Sequence, residues 1–449
     1  MSSHSISLAI ITLIVVLLCT ACTPTPSANI TASAPTITST PSCGGATPPI
    51  TAETSTNAAT TVTDTPTATT KPTVTTNPTV TTDPTVTTKP TVTTKPSVTP
   101  NANPKDVTLD SYKLDGLLFD EPLEKSFNYC PSIMQLEDGT RYIYYCAVKD
   151  SGVVRDHVYC RKGTPDGKGG YNWGPKTLVL APTPNAYDAM HCCDPTVIQG
   201  DFKFKGKSYK YLMAYTGNTD SVNNKVGLAV SNELMSGWIS TGTPLVTYSG
   251  NASDWGVGQP SLVSVDKKGT VMLFYGYGGG GTTCTYAEKW DLSNLDSPKR
   301  IKSMKATANG ILGHDGSKDT LNNVDFAYDP INKLYYVARD THPYPTNGDP
   351  AFVTSHFSLA CIPEAGKVGD LFASVKSMQG KTWTNLLTLG PSDTGFPRNS
   401  NCGLVRDPYG WIPDSGKIEL VYSISKWLGW SPDYYAWSYR MYGVTVKVK

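Results

Sequence analysis

Charge is scarce in this chain and almost cancels: Lys and Arg number 38, Asp and Glu 37, in 449 residues. Without a basic surplus, neither nucleic acid nor an anionic membrane surface is expected as a partner. Among residues 105–449 no Cys-x-x-Cys pair occurs, so no structural zinc site is expected there. His191, His314 and His342 show no ligand spacing, so no metal and no cofactor is expected. No apolar run reaches the roughly 20 residues of a spanning helix. Residues 23–104 contain no aromatic residue at all, which excludes a packed core there.

What the N-terminus does contain is a short apolar run, "LAIITLIVVLLC" (Leu8–Cys19), followed by "TAC". That is the length of a signal-peptide core, and residues 1–22 are read as a leader. Ala21 before Cys22 resembles a bacterial lipoprotein cleavage site, which implies lipidation of Cys22 and a cell-surface or extracellular location. An uncleaved N-terminal anchor is the alternative. Either way, membrane attachment is expected only through this end. Residues 23–104 are Thr/Pro-rich, with a six-residue period in "KPTVTTNPTVTTDPTVTTKP". A Pro-rich chain extends about 3.1 Å per residue, so this linker reaches at most roughly 250 Å. Its Thr density also suits O-glycosylation.

The folded part is therefore 105–449, long enough to bury a core as one domain and expected as a monomer. The chain's 25 tyrosines and 9 tryptophans, together with its low charge, suit a β-rich protein that handles something neutral and polar. Eight cysteines fall here: 130, 146, 160, 192, 193, 284, 361 and 402. Export permits disulfides. Cys146 and Cys160, on neighbouring strands, are the expected bridge, with buried thiols as the alternative.

Five stretches share one plan: a short strand, a polar turn, then a strand mixing aromatic and aliphatic residues. They begin "FNYCPSIMQLEDG", "HCCDPTVIQG", "GVGQPSLVSVDKKG", "NNVDFAYDPINK" and "RNSNCGLVRDPYGW". With Asn128, Asp194, Gln259, Asp325 and Arg398 as markers, the steps are 66, 65, 66 and 73 residues. Third strands such as "KVGLAVSNELMSGW" follow each hairpin. Recurrence without a convincing helix predicts an all-β fold, a five-bladed β-propeller; two stacked sandwiches would not explain the spacing. In a propeller the first strand of each blade starts near the axis. Asn128, Tyr129, His191, Asp194, Gln259, Asn323, Asp325, Arg398, Asn399 and Asn401 then converge on one funnel.

The pattern "CDPTVI…GKSYKYLMAYTG…NKVGLAVSNELMSGW", with "GQPSLV…GTVMLFYGYG" and "RNSNCGLVRDPYGW" in equivalent places, resembles the five-bladed propeller glycoside hydrolases of families 43 and 62. The likeness covers most of 125–445. It implies hydrolysis of a polysaccharide or oligosaccharide by acidic groups on opposite sides of the anomeric carbon, with an arabinose- or xylose-containing polymer as the expected substrate. An axial Ca²⁺ also belongs to what the resemblance admits. Asp194 matches a catalytic aspartate by motif and is expected as base; Asp325 matches by position and is expected to orient substrate or tune a neighbour. The first repeat has Asn128 and Tyr129 in place of the family's aspartate, and no first strand begins with glutamate. The acid is left among Asp188, Asp254 and His342, since some relatives use histidine. Asn128, Tyr129, His191, Gln259, Asn323, Arg398, Asn399 and Asn401 are the expected substrate contacts.

Each choice has a plainer rival: Asp before Pro caps turns, and Arg398 with its asparagines could cap the last repeat. Gly278–Gly281 has no phosphate-loop spacing and is expected to be a flexible rim loop. Trp255, Trp411, Tyr344 and Tyr409 could stack on sugars or simply pack. The rival function is a carbohydrate-binding propeller without catalysis.

Overall fold

The computed structural model describes residues 106–120, 127–149, 155–220, 222–345, 353–364, 381–425 and 439–449. The leader, the 23–104 linker and the Cys22 site lie outside the described residues. Among those described, no helix is long and apolar enough to cross a membrane.

Strand β1 (Leu109–Leu117) precedes the repeats. The first repeat holds β2 (Tyr129–Gln135), β3 (Arg141–Val148), β4 (Asp156–Pro165) and the short β5 (Tyr171–Trp173) and β6 (Thr177–Leu180). The second holds β7 (His191–Phe204), β8 (Lys207–Asn218), β9 (Lys225–Ser231) and β10 (Ile239–Ser240). Next come β11 (Gly256–Ser264), β12 (Thr270–Gly279), β13 (Thr282–Asp291) and β14 (Lys299–Lys305). The fourth is β15 (Asp325–Asp329), β16 (Leu334–Asp340), β17 (Phe357–Pro363) and β18 (Thr384–Leu389). A four-residue helix, α1 (Pro391–Thr394), leads to β19 (Arg398–Arg406), β20 (Lys417–Ser425) and β21 (Arg440–Val448).

The second, third and fourth repeats are separate four-stranded antiparallel sheets. The fifth and first repeats are joined in one nine-stranded sheet through parallel pairing of Val405 with Ile133 and Arg406 with Met134. First strands touch in cyclic order: β2 on β7, β7 on β11, β11 on β15, β15 on β19, and β19 on β2. Gly403 permits the last approach, since a Cβ there would lie 2.0 Å from the Pro131 carbonyl oxygen.

The second strands, "RYIYYCAV", "LYYVARD" and "KIELVYSIS" among them, are buried along most of their length. Alternation would suit a sheet with one wet face; burial on both faces follows because each sheet is packed on either side. Apolar clusters accordingly lie between successive sheets: Tyr144 with Met213, Leu212 with Leu273, Phe274 with Phe326, Leu359 with Leu420, and Val421 with Ile143. Strand β1 pairs with β21 along the outer edge of the fifth repeat, Leu109 opposite Val448. It supplies that repeat's fourth strand from the other end of the described chain.

Two expectations need correction. The disulfide is Cys146–Cys193, not Cys146–Cys160. In the β3–β4 register Cys146 faces Val158 and Cys160 faces Tyr144, so those two thiols are offset, whereas β3 and β7 meet across neighbouring repeats. Gly278 and Gly279 are strand residues opposite Thr283 and Thr282, and Gly280 and Gly281, at positive φ, form the hairpin turn.

Candidate active site at the strand starts

One residue near the start of each first strand sits in left-handed backbone: Cys130 (φ 51°), Asp194 (49°), Gln259 (52°), Asn323 (45°) and Asn401 (48°). In four repeats a break in strand register surrounds it, between Tyr129 and Ser132, Cys193 and Thr196, Gly258 and Ser261, and Ser400 and Gly403. Three of the five precede a proline, Pro131, Pro195 or Pro260, which has no N–H for the ladder. Such bulges re-aim side chains. All five line one cavity, together with Ser132 and Asp325. Left-handed geometry costs a residue with a Cβ roughly 1–3 kcal/mol. Its recurrence at five matched positions is a structural signature of the cavity.

Three of these bulges have their N–H caught by a side chain on the second strand of the preceding repeat. Asp194 N–H donates to Cys146 Sγ at 2.9 Å, Gln259 N–H to Thr216 Oγ1 at 2.7 Å, and Asn401 N–H to Asp340 Oδ1 at 2.8 Å. Asp340 also accepts from Asn323 Nδ2 at 2.5 Å, so one carboxyl aligns two cavity residues. Burial pushes Asp340 up to about 7, against the lowering effect of those hydrogen bonds and of the nearby His342 and Arg339 charges.

Two residues further along each strand lie Ser132, Thr196, Ser261, Asp325 and Gly403. The buried Arg406 guanidinium binds four of them. Its Nη2 donates to Ser132 Oγ (2.9 Å) and Thr196 Oγ1 (3.1 Å), and its Nη1 donates to Ser261 Oγ (3.3 Å) and lies 3.0 Å from Asp325 Oδ1 as an ion pair. Asp325 further accepts from Ser261 Oγ (2.7 Å) and from the Leu404 N–H (2.8 Å). Both its oxygens are therefore engaged. An axial Ca²⁺ does not fit this donor set, because the ion takes 6–8 oxygens and a fixed cation already holds these.

Asp194, Gln259, Asn323, Asp325 and Asn401 are thus brought together. The other expected residues do not line that cavity. Asn128 is buried, and the Tyr129 ring packs edge-on against Phe127, centroids 5.3 Å apart. His191 Nδ1 lies 2.8 Å from Asp156 Oδ2, both buried. Asp188 is enclosed in the second repeat, accepting from Tyr215 OH (2.8 Å) and Thr183 Oγ1 (3.3 Å). Arg398 donates to the Pro397 carbonyl (3.1 Å), and Asn399 to the Ser355 (3.0 Å) and Phe396 (2.9 Å) carbonyls. Asp254 accepts from Tyr248 OH and the Gly280 N–H. Of the aromatics, Trp255 is buried, and Trp411 bonds the Ser264 carbonyl at 2.9 Å.

His342 stands just beyond Asp340, at the end of its sheet where Asp340 N–H meets the Asn322 carbonyl (3.1 Å). Its Nδ1 is 2.7 Å from Asp319 Oδ1, and its ring stacks on Tyr344 with centroids 4.5 Å apart. Asp319 also pairs with the buried Arg339 at 2.6 Å. Burial would raise the Asp319 carboxyl, but the His342 hydrogen bond and the Arg339 charge hold it well below the usual range.

Cys130, Asp340, Arg406 and Asp319 were not anticipated. Cys130 had a signal, because "CPS", "DPT" and "QPS" align through their prolines. Asp340 and Arg406 had none, since each acts across repeats.

No protein-family model matches the chain, and no curated protein matches it in sequence. Solved structures do resemble it. The α-L-arabinofuranosidase of Podospora anserina in complex with cellotriose is 11% identical with a TM-score of 0.46, over 76% of this chain and 97% of that one. A family 117 glycoside hydrolase of Zobellia galactanivorans is 12% identical with a TM-score of 0.47, over 75% and 90%. The family 62 α-L-arabinofuranosidase catalytic domain of Coprinopsis cinerea is 13% identical with a TM-score of 0.44, over 75% and 96%. No residue role is carried over from these structures.

Proposed function

We propose that the chain is a glycoside hydrolase acting on a neutral polysaccharide, arabinose- or xylose-containing polymers being the first to test. Its sheets are read as the blades of a five-bladed β-propeller, the nine-stranded sheet being two blades joined at the axis. The carrying observation is the set of five left-handed residues that line one cavity: Cys130 and four polar residues, of which Asp194 is a carboxylate outside the Arg406 ion pair. On this reading Asp194 takes a proton from water as the water oxygen bonds the anomeric carbon. The glycosidic C–O bond breaks, and the leaving oxygen takes a proton from His342, whose ring is held in place by its Asp319 partner. Gln259, Asn323 and Asn401 supply donors and acceptors for sugar hydroxyls. Asp325, with both oxygens engaged, anchors Arg406 and does no acid–base work. The leader and "TAC" belong to the same proposal: an exported, monomeric, lipid-anchored enzyme.

The deciding experiment is Asp194→Asn assayed for reducing-end release on a polysaccharide panel. Hydrolysis should vanish with the unfolding temperature nearly unchanged; undiminished release removes the assignment. A second reading, a carbohydrate-binding module without catalysis, is favoured by the engagement of Asp325 and by the lack of glutamate among the described residues lining the cavity. It predicts binding on the same panel with no release by the wild type.

A further inference from the structure

Beside the cavity, four potential ligand atoms lie within 4.8 Å of one another: the sulfurs of Cys130, Cys146 and Cys193 and a carboxylate oxygen of Asp194. They come from β2, β3 and β7, in two repeats, so only the packing of repeats assembles them. Two of the four, Cys130 and Asp194, belong to the left-handed set. Asp194 Oδ1 is 3.4 Å from Cys193 Sγ, and its backbone N–H already points at Cys146 Sγ from 2.9 Å. Three thiolates and one carboxylate form a tetrahedral zinc donor set; Zn–S bonds of about 2.3 Å put ligand sulfurs roughly 3.8 Å apart. Reaching that requires Cys146 Sγ and Cys193 Sγ, bonded at 2.09 Å, to part on reduction, while all four atoms already lie within 4.8 Å of one another.

We propose that the Cys146–Cys193 disulfide and a Zn²⁺ site are alternative states of this cluster, the reduced state binding one zinc ion through Cys130, Cys146, Cys193 and Asp194. Opening the site requires a reductant, a dithiol or a phosphine. The S–S bond accepts two electrons and two protons to give two thiols, and a phosphine is oxidised to its oxide with oxygen taken from water. Zinc then displaces three protons, one from each thiol, so its affinity rises with pH. The Asp194 N–H aimed at Cys146 Sγ supports the thiolate. Elsewhere, burial pushes up the thiols of Cys160, Cys284, Cys361 and Cys402, which disfavours them as competing ligands. The site does not depend on the hydrolase reading, because metal uptake is measured without turnover.

The test uses the full chain with Cys19, Cys22 and Cys43 changed to Ser. It is reduced by a water-soluble phosphine and dialysed against zinc, with Co²⁺ as the spectroscopic probe. Expected are one zinc per reduced chain, a sulfur-to-cobalt charge-transfer band, and neither in the oxidised chain. Cys130→Ser should weaken zinc binding by more than about a hundredfold, since losing a group that merely supports a ligand already costs 10–100-fold. Cys192→Ser, next in sequence but outside the cluster, should change nothing. If Cys130→Ser fails to fold, Asp194→Ala serves instead, weakening zinc while keeping the charge-transfer band. Uptake indifferent to Cys130 and Asp194, or no uptake by a reduced chain that still unfolds cooperatively, overturns the proposal.

Discussion

Arg406 and Asp325 lie 3.0 Å apart as a buried ion pair, and the same guanidinium reaches hydroxyls on three other first strands. Strands β2, β7, β11, β15 and β19 therefore share one cation. Asp325, expected from the sequence to orient substrate or tune a neighbour, is the counter-charge of this cation.

Replacing Arg406 by Met should destabilise the fold by about 3–5 kcal/mol, because Asp325 is left buried and uncompensated. Urea unfolding measures it. Adding Asp325→Asn should restore part of the loss, as the stranded charge disappears. A single variant as stable as the wild type would show that the tie is dispensable.

Gly403→Ala places a methyl 2.0 Å from the Pro131 carbonyl, where β19 meets β2. Backbone on both sides has little room to yield. A loss of about 1–3 kcal/mol is expected, read as a lower unfolding temperature. Gly416→Ala, whose Cβ would meet nothing nearer than 3.6 Å, is the control.

Asp340 gives stability a pH dependence of defined sign. Its folded pKa is about 7, raised from 3.8 chiefly by burial. Between those values the folded chain binds the extra proton, so stability falls as pH rises from about 4 to about 7 and then levels off. Asp340→Asn should remove that share of the slope while still accepting the Asn401 N–H. Parallel slopes for wild type and variant in thermal unfolding across this window would contradict the placement.

Much of the fold was legible because the period is written in bulk: each repeat carries an aromatic-rich second strand that must be buried. The fine register was less so. Counting from Asn128, Asp325 and Arg398 missed the matched positions Cys130, Asn323 and Asn401, although the proline after Cys130, Asp194 and Gln259 marks three of them. Arg406 resisted reading because it sits at the end of β19, beside a turn, and its partners come from four other repeats. The Cys146–Cys193 link escaped for the same reason: strand adjacency suggests pairs within a sheet, and this one crosses between sheets.

Strand β1 yields a fourth prediction. It covers the β21 edge through a seven-pair register from Leu109 to Leu117. A chain lacking residues 1–118 exposes β21 as an open edge, a template for pairing with other chains. Size-exclusion chromatography should show aggregates; a stable monomer would mean the edge needs no cover.

That same strand decides how the domain meets mechanical load. Thr108 and Lys449 exchange backbone hydrogen bonds of 3.0 and 3.1 Å, so a pull arriving from the N-terminal side falls first on the outermost rung. With β1 and β21 antiparallel, tension directed away from that rung peels the bonds singly, like a zipper, and does not stress them all at once in shear. Under such a load the first thing to yield is an edge strand, while the cavity at the first strands, three strands inward, keeps its shape.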